Sequence, residues 1–453
     1  MSGIKKILAV FHIVGLLCLG TSIAFSEPPE EGELPLGELR TFADVFNHIR
    51  HSYVEEIDDK TLLEHAIRGM LEGLDPHSTY LDADSFDDLQ SSTTGEFGGL
   101  GLEVGIENGF VKVIAPIDDT PAQKAGIKSG DLIIKLDGKA VKGMSLNDAV
   151  NMMRGKRGTK IDLTIVREGL RKPIELSITR DIIKVVSVRS KILAPGFGYI
   201  RIAQFQSKTG KEFRTEVSKL LESEENLKGL VLDLRNNPGG ILQASVEVAD
   251  ALLDEGLIVY TKGRVSQAEI KYHATEHDMA NGMPIVVLIN EGSASASEIV
   301  AGALQDHHRA VIMGTDSFGK GSVQTVVPLS EKRAIKLTTA RYFTPSGRSI
   351  QAEGISPDIT VKRAKIEELE EGKRFKEADL QGHLSNGSKR QSKTSKTSKT
   401  SKTSKTSKTS KNTSSDTELF NKDNQLYEAL ILLKGLHVIS INKQANAAVS
   451  NNL

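Results

Sequence analysis

The chain contains one cysteine, Cys18, and it lies within the first apolar run. Beyond that run there is no thiol, which excludes disulfides, cysteine catalysis and thiolate metal sites from the rest of the protein. An excess of charge of one sign is also missing. There are 58 basic and 59 acidic residues, a formal net charge of −1, so nothing points to nucleic acid as a partner. The first apolar run itself, Ile7 to Leu19, follows Lys5 and Lys6 and is interrupted only by His12. Ala24 and Ser26 sit three and one positions before Glu27, so residues 1–26 read as an export signal. The run is short for a membrane span, and the alternative to cleavage is retention as an inner-membrane anchor. Leu17 before Cys18 argues against lipidation. A bacterial periplasm is the expected location, with stability coming from a packed core. The roughly 430 residues that follow imply two or three domains.

From about Pro35 to Leu89 apolar residues recur at helical spacing, through Leu39, Phe42, Val45, Phe46, Ile49 and Tyr53, then Leu63, Ile67, Met70, Leu71 and Leu74. This predicts an N-terminal helical segment over 27–97. Two amphipathic helices on so short a stretch cannot bury both apolar faces alone. They are expected to pack on the main body or, in a homo-oligomer built through terminal helices, on a second copy.

Residues 98–180 change character. GGLGLEV and GFVKVIAPI read as short strands, followed by PAQKAGIKSGDLIIKLDG, a helix SLNDAVNMMRG and a strand KIDLTIVREG. This order resembles a PDZ domain. The likeness implies that consecutive backbone N–H groups in the Gly99–Leu100–Gly101–Leu102 loop hold a C-terminal carboxylate. The adjacent sheet edge then takes the tail as an added strand, in a groove lined by Ala149, Val150 and Met153. Taken without the module, those glycines would mark only a tight turn.

Over 181–362 strands alternate with helices, as in FGYIRIAQF, TGKEFRTEVSKLLES, GLVLDLRNN, ILQASVEVADALLD, PIVVLIN and ASEIVAGALQD, which argues for a layered α/β core. A linker follows over 363–415. Within it Ser392 to Lys411 repeats SKT with seven lysines and no acidic residue, so it has nothing to bury and is expected to be a solvated spacer. The last segment, 416–453, carries Leu419, Leu426, Ala429 and Leu433 at helical spacing and is expected to dock back as one helix.

The chemistry-bearing stretch is Asn290 to Gln324. PIVVLIN reads as a buried strand and SEIVAGAL as a helix start, so Ser293, Ser295 and Ser297 occupy a strand-to-helix turn. There, free N–H groups and the positive helix end favour a developing oxyanion, and α/β sheets place ligands at such edges. One serine at this point usually caps the helix. Three among alanines leave room for a substrate, and spacing does not say which of them attacks. Lys320 follows in DSFGKGSVQ. A lysine is a general base only when neutral, which requires its pKa to fall from about 10.4 toward roughly 7–8. Burial and nearby cations do this. Gln324, four residues on, shares a side with Lys320 whether the segment is extended or helical, and is placed to hydrogen-bond the amine. Taken alone, a lysine between glycines is more often a loop charge than a catalyst, and spacing leaves both readings open.

Histidine alternatives are weaker. His307 and His308 lie about three turns along the helix from Ser295, at an end where basic residues suit the dipole. Adjacent residues on a helix diverge, so Asp306, His307 and His308 make a poor metal site. His77 in LDPHS has no partner visible in the sequence, so a surface or packing role is expected.

GSASASEI and FGKGSVQ, with LDLRNNPGG upstream and TPSGRSIQ and GISPDI downstream, resemble the carboxyl-terminal processing protease family. GMLEGLDPHSTYL and GEFGGLGLEV extend the likeness over nearly everything between the signal and the SKT tract. The resemblance implies a multidomain α/β protein, with an α/β (ClpP/crotonase-like) protease core, an inserted PDZ domain and flanking helical segments. It implies a serine endopeptidase that needs no metal, nucleotide or other cofactor. Position by position, it places the nucleophile on Ser295, the general base on Lys320 and the orienting partner on Gln324. Ser293 and Ser297 become supporting positions and Glu298 a supporting acid. The oxyanion donors fall on the N–H groups of Ala296 and of a glycine in NNPGG, Gly239. Asp233 and Arg235 alternate on the preceding strand and are expected to form a structural pair behind the site. Partners are protein substrates held by their tails, together with an adaptor or activator. The PDZ domain is expected to gate the site, so that a resting structure holds Lys320 out of reach of Ser295. The rival reading is a catalytically silent PDZ scaffold. Loss of the serine, lysine or glutamine would mark it, and all three are present.

Overall fold

The computed structural model describes residues 34–117, 119–224, 226–265, 268–275, 277–365, 376–377, 384 and 423–450, with side chains of the last helix to 439. The expected signal, Cys18 and the SKT tract lie outside the described residues. The chain divides into two compact units between Met70 and Leu71.

The first unit contains α1 (Leu36–Ser52) and most of α2 (Asp59–Glu72). In α1, Glu38 near the start and Arg50 and His51 near the end complement the helix dipole. None of its residues is buried. Leu39, Phe42, Val45, Leu63 and Met70 all remain exposed.

The second unit begins with β1 (Thr79–Leu81) and α3 (Ala83–Thr94). Helical spacing was expected to run on to Leu89, and it is broken at β1, where Tyr80 is buried and the three residues pair with positions 334–336. Tertiary pairing here overrides local periodicity. Asp82 caps α3 by accepting the Ser85 N–H at 2.9 Å, and Gly95 ends it in the left-handed conformation.

A separate module follows, through β2 (Glu96–Gly99), β3 (Leu102–Glu107), β4 (Phe110–Pro116), α4 (Pro121–Lys124), β5 (Leu132–Leu136), β6 (Lys139–Ala140), α5 (Leu146–Met153), β7 (Lys160–Val166), β8 (Ile174–Thr179) and β9 (Asp181–Lys184). Its sheet runs β3-β4-β5-β7-β8, leaving β3 at an edge. Alternate residues of β7 (Ile161, Leu163 and Ile165) point into a core with Val113, Ile133, Leu136 and Ala149. The entering strand β2 pairs antiparallel with the leaving strand β9, so the module hangs from a two-stranded stem.

The remaining elements are β10 (Val188–Ala194), β11 (Phe197–Ile202), α6 (Thr209–Ser223), β12 (Gly229–Asp233), α7 (Leu242–Asp250), β13 (Leu257–Gly263), β14 (Lys271–His273), β15 (Ile285–Ile289), α8 (Ala296–Asp306), β16 (Val311–Gly314), β17 (Ser322–Ser330), β18 (Arg333–Phe343), β19 (Ile359–Thr360) and α9 (Asn424–Ser450). One sheet runs β10-β11-β12-β15-β16-β19, parallel from β11 onward. Every residue of β12 and β15 is buried, as continuous apolar runs in a sheet covered on both faces require. Residues of α6, α7 and α8 pack with those strands in one core. Leu426, Ala429, Leu430 and Leu433 of α9 pack with Phe197, Val231, Val286, Leu288 and Met313 in another. The second sheet, β1-β18-β13-β14 with β17 beside β18, carries the lysine-bearing segment. The loops leaving β12 and β15 meet at the carboxyl edge of the parallel sheet, the position where such sheets bind ligands.

Candidate active site

Ser295 stands between β15 and α8 with φ 56° and ψ −111°, a left-handed backbone that a non-glycine residue adopts at a cost of about 1–3 kcal/mol. Local bonds hold it there. Its N–H donates to Glu298 Oε2 at 2.7 Å, and its carbonyl accepts the Glu298 N–H at 2.9 Å. The two neighbouring serines are fully buried and bound to the facing loop. Ser293 Oγ donates to the Leu234 carbonyl at 2.8 Å, and Ser297 Oγ to the Asn237 carbonyl at 2.9 Å. Of the three hydroxyls that spacing left equivalent, only that of Ser295 belongs to a residue lining the cleft.

The facing loop is NNPGG. Asn236 and Asn290 lock it to the serine turn, the Asn236 N–H donating to Asn290 Oδ1 and Asn290 Nδ2 to Asn236 Oδ1, both at 2.8 Å. Gly239 has φ 97°, and a Cβ there would lie 2.7 Å from the Ser295 Cβ, so only glycine permits this approach. The Gly239 N–H, an expected oxyanion donor, is given to Asn237 Oδ1 at 2.9 Å. The N–H groups of Ala296 and Gly240 have no partner among the described residues, and both residues line the cleft. Gly240 was not singled out in the sequence, where the resemblance pointed to Gly239 of the two glycines in NNPGG.

Glu298 ties the Ser295 turn to the Lys320 loop. It is fully buried, and besides Ser295 it accepts the Lys320 N–H at 2.9 Å, the Gly319 N–H at 2.6 Å and the Ser317 hydroxyl at 2.6 Å. The Tyr342 hydroxyl donates to the Lys320 carbonyl and lies beside Ser295. Burial, reinforced by the Glu298 charge, pushes its pKa well above the ordinary value, so it stays protonated.

Lys320 has the electrostatics of a base. Burial lowers its pKa first and the Lys336 cation adds to this, while Glu298 and Asp75 oppose them without reversing the direction. Its amine makes no hydrogen bond to Ser295 or Gln324 among the described residues. Gln324 was expected to hold that amine. It donates instead through Nε2 to Ser322 Oγ at 2.9 Å and Thr338 Oγ1 at 3.3 Å. Ser295, Lys320 and Gln324 nevertheless share one cleft of about 480 Å³, walled by Phe205, Ile241, Leu242, Ile299 and Val323. His77 also belongs to this neighbourhood. Burial and then the Lys320 charge lower its pKa, so it stands close to a lysine to which no sequence pattern had tied it.

Behind the site Asp233 is fully buried and receives Arg235 at 2.7 Å and the Tyr199 hydroxyl at 2.9 Å. Arg235 extends to Asp423 at 2.7 Å and to Gln425 at 3.0 Å, joining the loop after β12 to the start of α9. His307, the other candidate base, gives its Nε2 to the Leu257 carbonyl at 2.7 Å, toward the end of α8 distal from Ser295. In the β3–β8 module Leu100 and Met153 are buried in its core, with Leu102 and Val150 packed partly buried against it. Gly99 ends β2 and Gly101 takes φ 79°, turning the chain into the edge strand β3.

The sequence matches the Peptidase family S41 profile over residues 196–361, a PDZ domain over 112–167 and the activating protease CtpB N-terminal domain over 22–85. It is 50% identical over 386 residues to a carboxy-terminal-processing protease of Bartonella bacilliformis, covering 84% of this chain and 88% of that protein. It is 36% identical over 339 residues to the carboxy-terminal processing protease CtpA of Bacillus subtilis, covering 74% and 72% respectively. Among solved structures, a photosystem II D1 C-terminal processing protease is 34% identical, covering 72% of this chain and 93% of that one with a TM-score of 0.44.

Proposed function

The chain belongs to the carboxy-terminal processing proteases, PDZ-containing serine peptidases of family S41, and on that premise we propose that Ser295 and Lys320 form the catalytic pair that cuts protein tails delivered by the PDZ module. The observation that carries this reading is the shared cleft. It holds one serine of three on its wall, in a strained turn, together with a lysine whose pKa is lowered by burial.

Neutral Lys320 takes the Ser295 proton as Oγ attacks the scissile carbonyl. The oxyanion rests on the N–H groups of Ala296 and of the NNPGG loop, with Gly240 the glycine whose amide is ready. Lysine returns the proton to the leaving amine. It then deprotonates the water that releases the acyl group from Ser295. Gln324 directs the amine. The arrangement of unbonded Lys320 is the resting one, and seating of a tail in the PDZ groove closes the pair. Export to the periplasm belongs to the same proposal and rests on the first 26 residues.

Ser295→Ala abolishes cleavage of a tail-bearing substrate while leaving the fold and tail binding intact. Lys320→Arg is nearly as damaging, because arginine does not give up its proton. Undiminished turnover by either variant sinks the assignment.

A further inference from the structure

We propose that Asp75, in the LDPHS stretch ahead of the PDZ module, is a positioning residue for Gln324, acting through a two-step hydrogen-bond relay that passes through Thr338. This rests on the Ser295–Lys320–Gln324 reading and adds what fixes the third member.

The argument is one of polarity. Asp75 accepts the N–H groups of His77 and Ser78 at 2.8 and 3.1 Å, the Ser78 hydroxyl at 2.6 Å, and the Thr338 hydroxyl at 3.1 Å. An ionised carboxylate only accepts, so Thr338 must spend its single proton on Asp75. Its oxygen is then an acceptor toward the cleft, and what it accepts is Gln324 Nε2 at 3.3 Å. Ser322 Oγ takes the same amide nitrogen at 2.9 Å. With both amide protons committed, the Gln324 carbonyl oxygen is the atom left to receive the Lys320 amine or ammonium. A reversed relay would present NH2 to the lysine, a donor against the ammonium's donors and, when the amine is neutral, a competitor for the lone pair that must take the Ser295 proton. The carboxylate 263 positions from Thr338 in sequence therefore decides which end of Gln324 faces the base.

The relay is held at its origin as well. The Thr338 N–H donates to Ser78 Oγ at 3.1 Å, and β1 pairs with β18 from Thr79↔Lys336 to Leu81↔Ala334. The LDPHS turn is thus fastened to the strand that carries Thr338. Hydrogen bonds from Ser78, the His77 and Ser78 amides and Thr338 outweigh burial and hold the Asp75 carboxyl below its usual range, so it stays ionised wherever the enzyme works.

The test is a mutant cycle on the full chain with a tail-bearing peptide substrate. Thr338→Val keeps the shape and removes the relay oxygen, and is expected to lower kcat about tenfold with KM unchanged, the scale of one lost positioning bond. Thr338→Ser restores the hydroxyl and recovers kcat to within about threefold of wild type. In a Gln324→Ala background Thr338→Val has no further effect, since both act through one group. Melting temperatures recorded alongside separate positioning from folding. Full kcat in Thr338→Val, equal losses in the valine and serine variants, or additive losses with Gln324→Ala would each overturn the relay. If Ser295→Ala itself retains turnover, the underlying dyad is wrong instead, which is a different failure.

Discussion

Replacing Glu298 by glutamine probes the joint between the two halves of the site. Its carboxylate accepts four donors, Ser317 and Gly319 at Oε1 and Ser295 and Lys320 at Oε2. An amide of the same size keeps one acceptor oxygen and turns an NH2 against the other pair. Bonds to a charged acceptor contribute about 1.5–3 kcal/mol each. Two such bonds reversed, with relaxation of the loop, give a loss of about 3 kcal/mol. For the core over residues 181–362, which carries both loops, that corresponds to a fall of about 6–12 °C in Tm. Activity falls further than stability does. Either orientation of the amide frees Ser295 or Lys320 from its anchor, or loosens the Ser317–Gly319 turn that carries the lysine, and a displacement of about 1 Å costs on the order of 10²-fold in rate. Scanning calorimetry gives the first number and kcat on a tail-bearing peptide gives the second, with KM near the wild-type value because the PDZ module is untouched. A Glu298→Gln protein that melts within about 1 °C of wild type and keeps kcat within about twofold would refute the reasoning.

Lys336→Gln removes the cation that helps lower the Lys320 pKa, so Lys320 holds its proton to higher pH and the acidic limb of the kcat/KM profile moves upward. Asp75→Asn removes an opposing anion and moves that limb downward. The same lowering makes protonated Lys320 a cost to the fold. The cost is complete below its folded pKa and vanishes above the ordinary 10.5, so this group makes stability rise with pH across that window, which urea titrations at several pH values will show. Arg235→Ala leaves the buried Asp233 with the Tyr199 hydroxyl, the N–H of residue 235 at 3.0 Å and Arg201 at 3.3 Å, and releases Asp423. A loss of about 3–5 kcal/mol is expected in denaturant unfolding. Deleting residues 392–411 changes stability by less than about 1 kcal/mol, because closure entropy depends weakly on loop length, and a large drop in Tm would contradict that.

The alternation of apolar strands and amphipathic helices made the α/β core readable, because the central strands GLVLD and IVVLI are buried on both faces and must be apolar throughout. The serine turn was readable as a place. Which serine lines the cleft was not readable from spacing, since Ser293 and Ser297 are turned inward by carbonyls of a loop about 60 residues upstream. The same limit hid Asp75 and Tyr342, whose roles arise where β18 brings distant segments together. At Gly239 the size and the amide of one residue play separate parts. Its small size is needed for the approach to Ser295, while its amide, the part expected to act, is engaged by Asn237. Gln324 lines the same cleft as Lys320, but the orientation of its amide depends on Thr338, and no local pattern encodes that.

The central claim is that Ser295 becomes acylated with Lys320 as its base. Acid-quenching the full-length protein during turnover of a slowly deacylating peptide ester, followed by proteolysis and mass spectrometry, tests it directly. The account predicts an adduct bearing the mass of the substrate's acyl portion on the peptide containing Ser295, absent from the Lys320→Arg protein. An adduct on Ser293, Ser297 or another residue, or an undiminished Ser295 adduct in the Lys320→Arg protein, would contradict it.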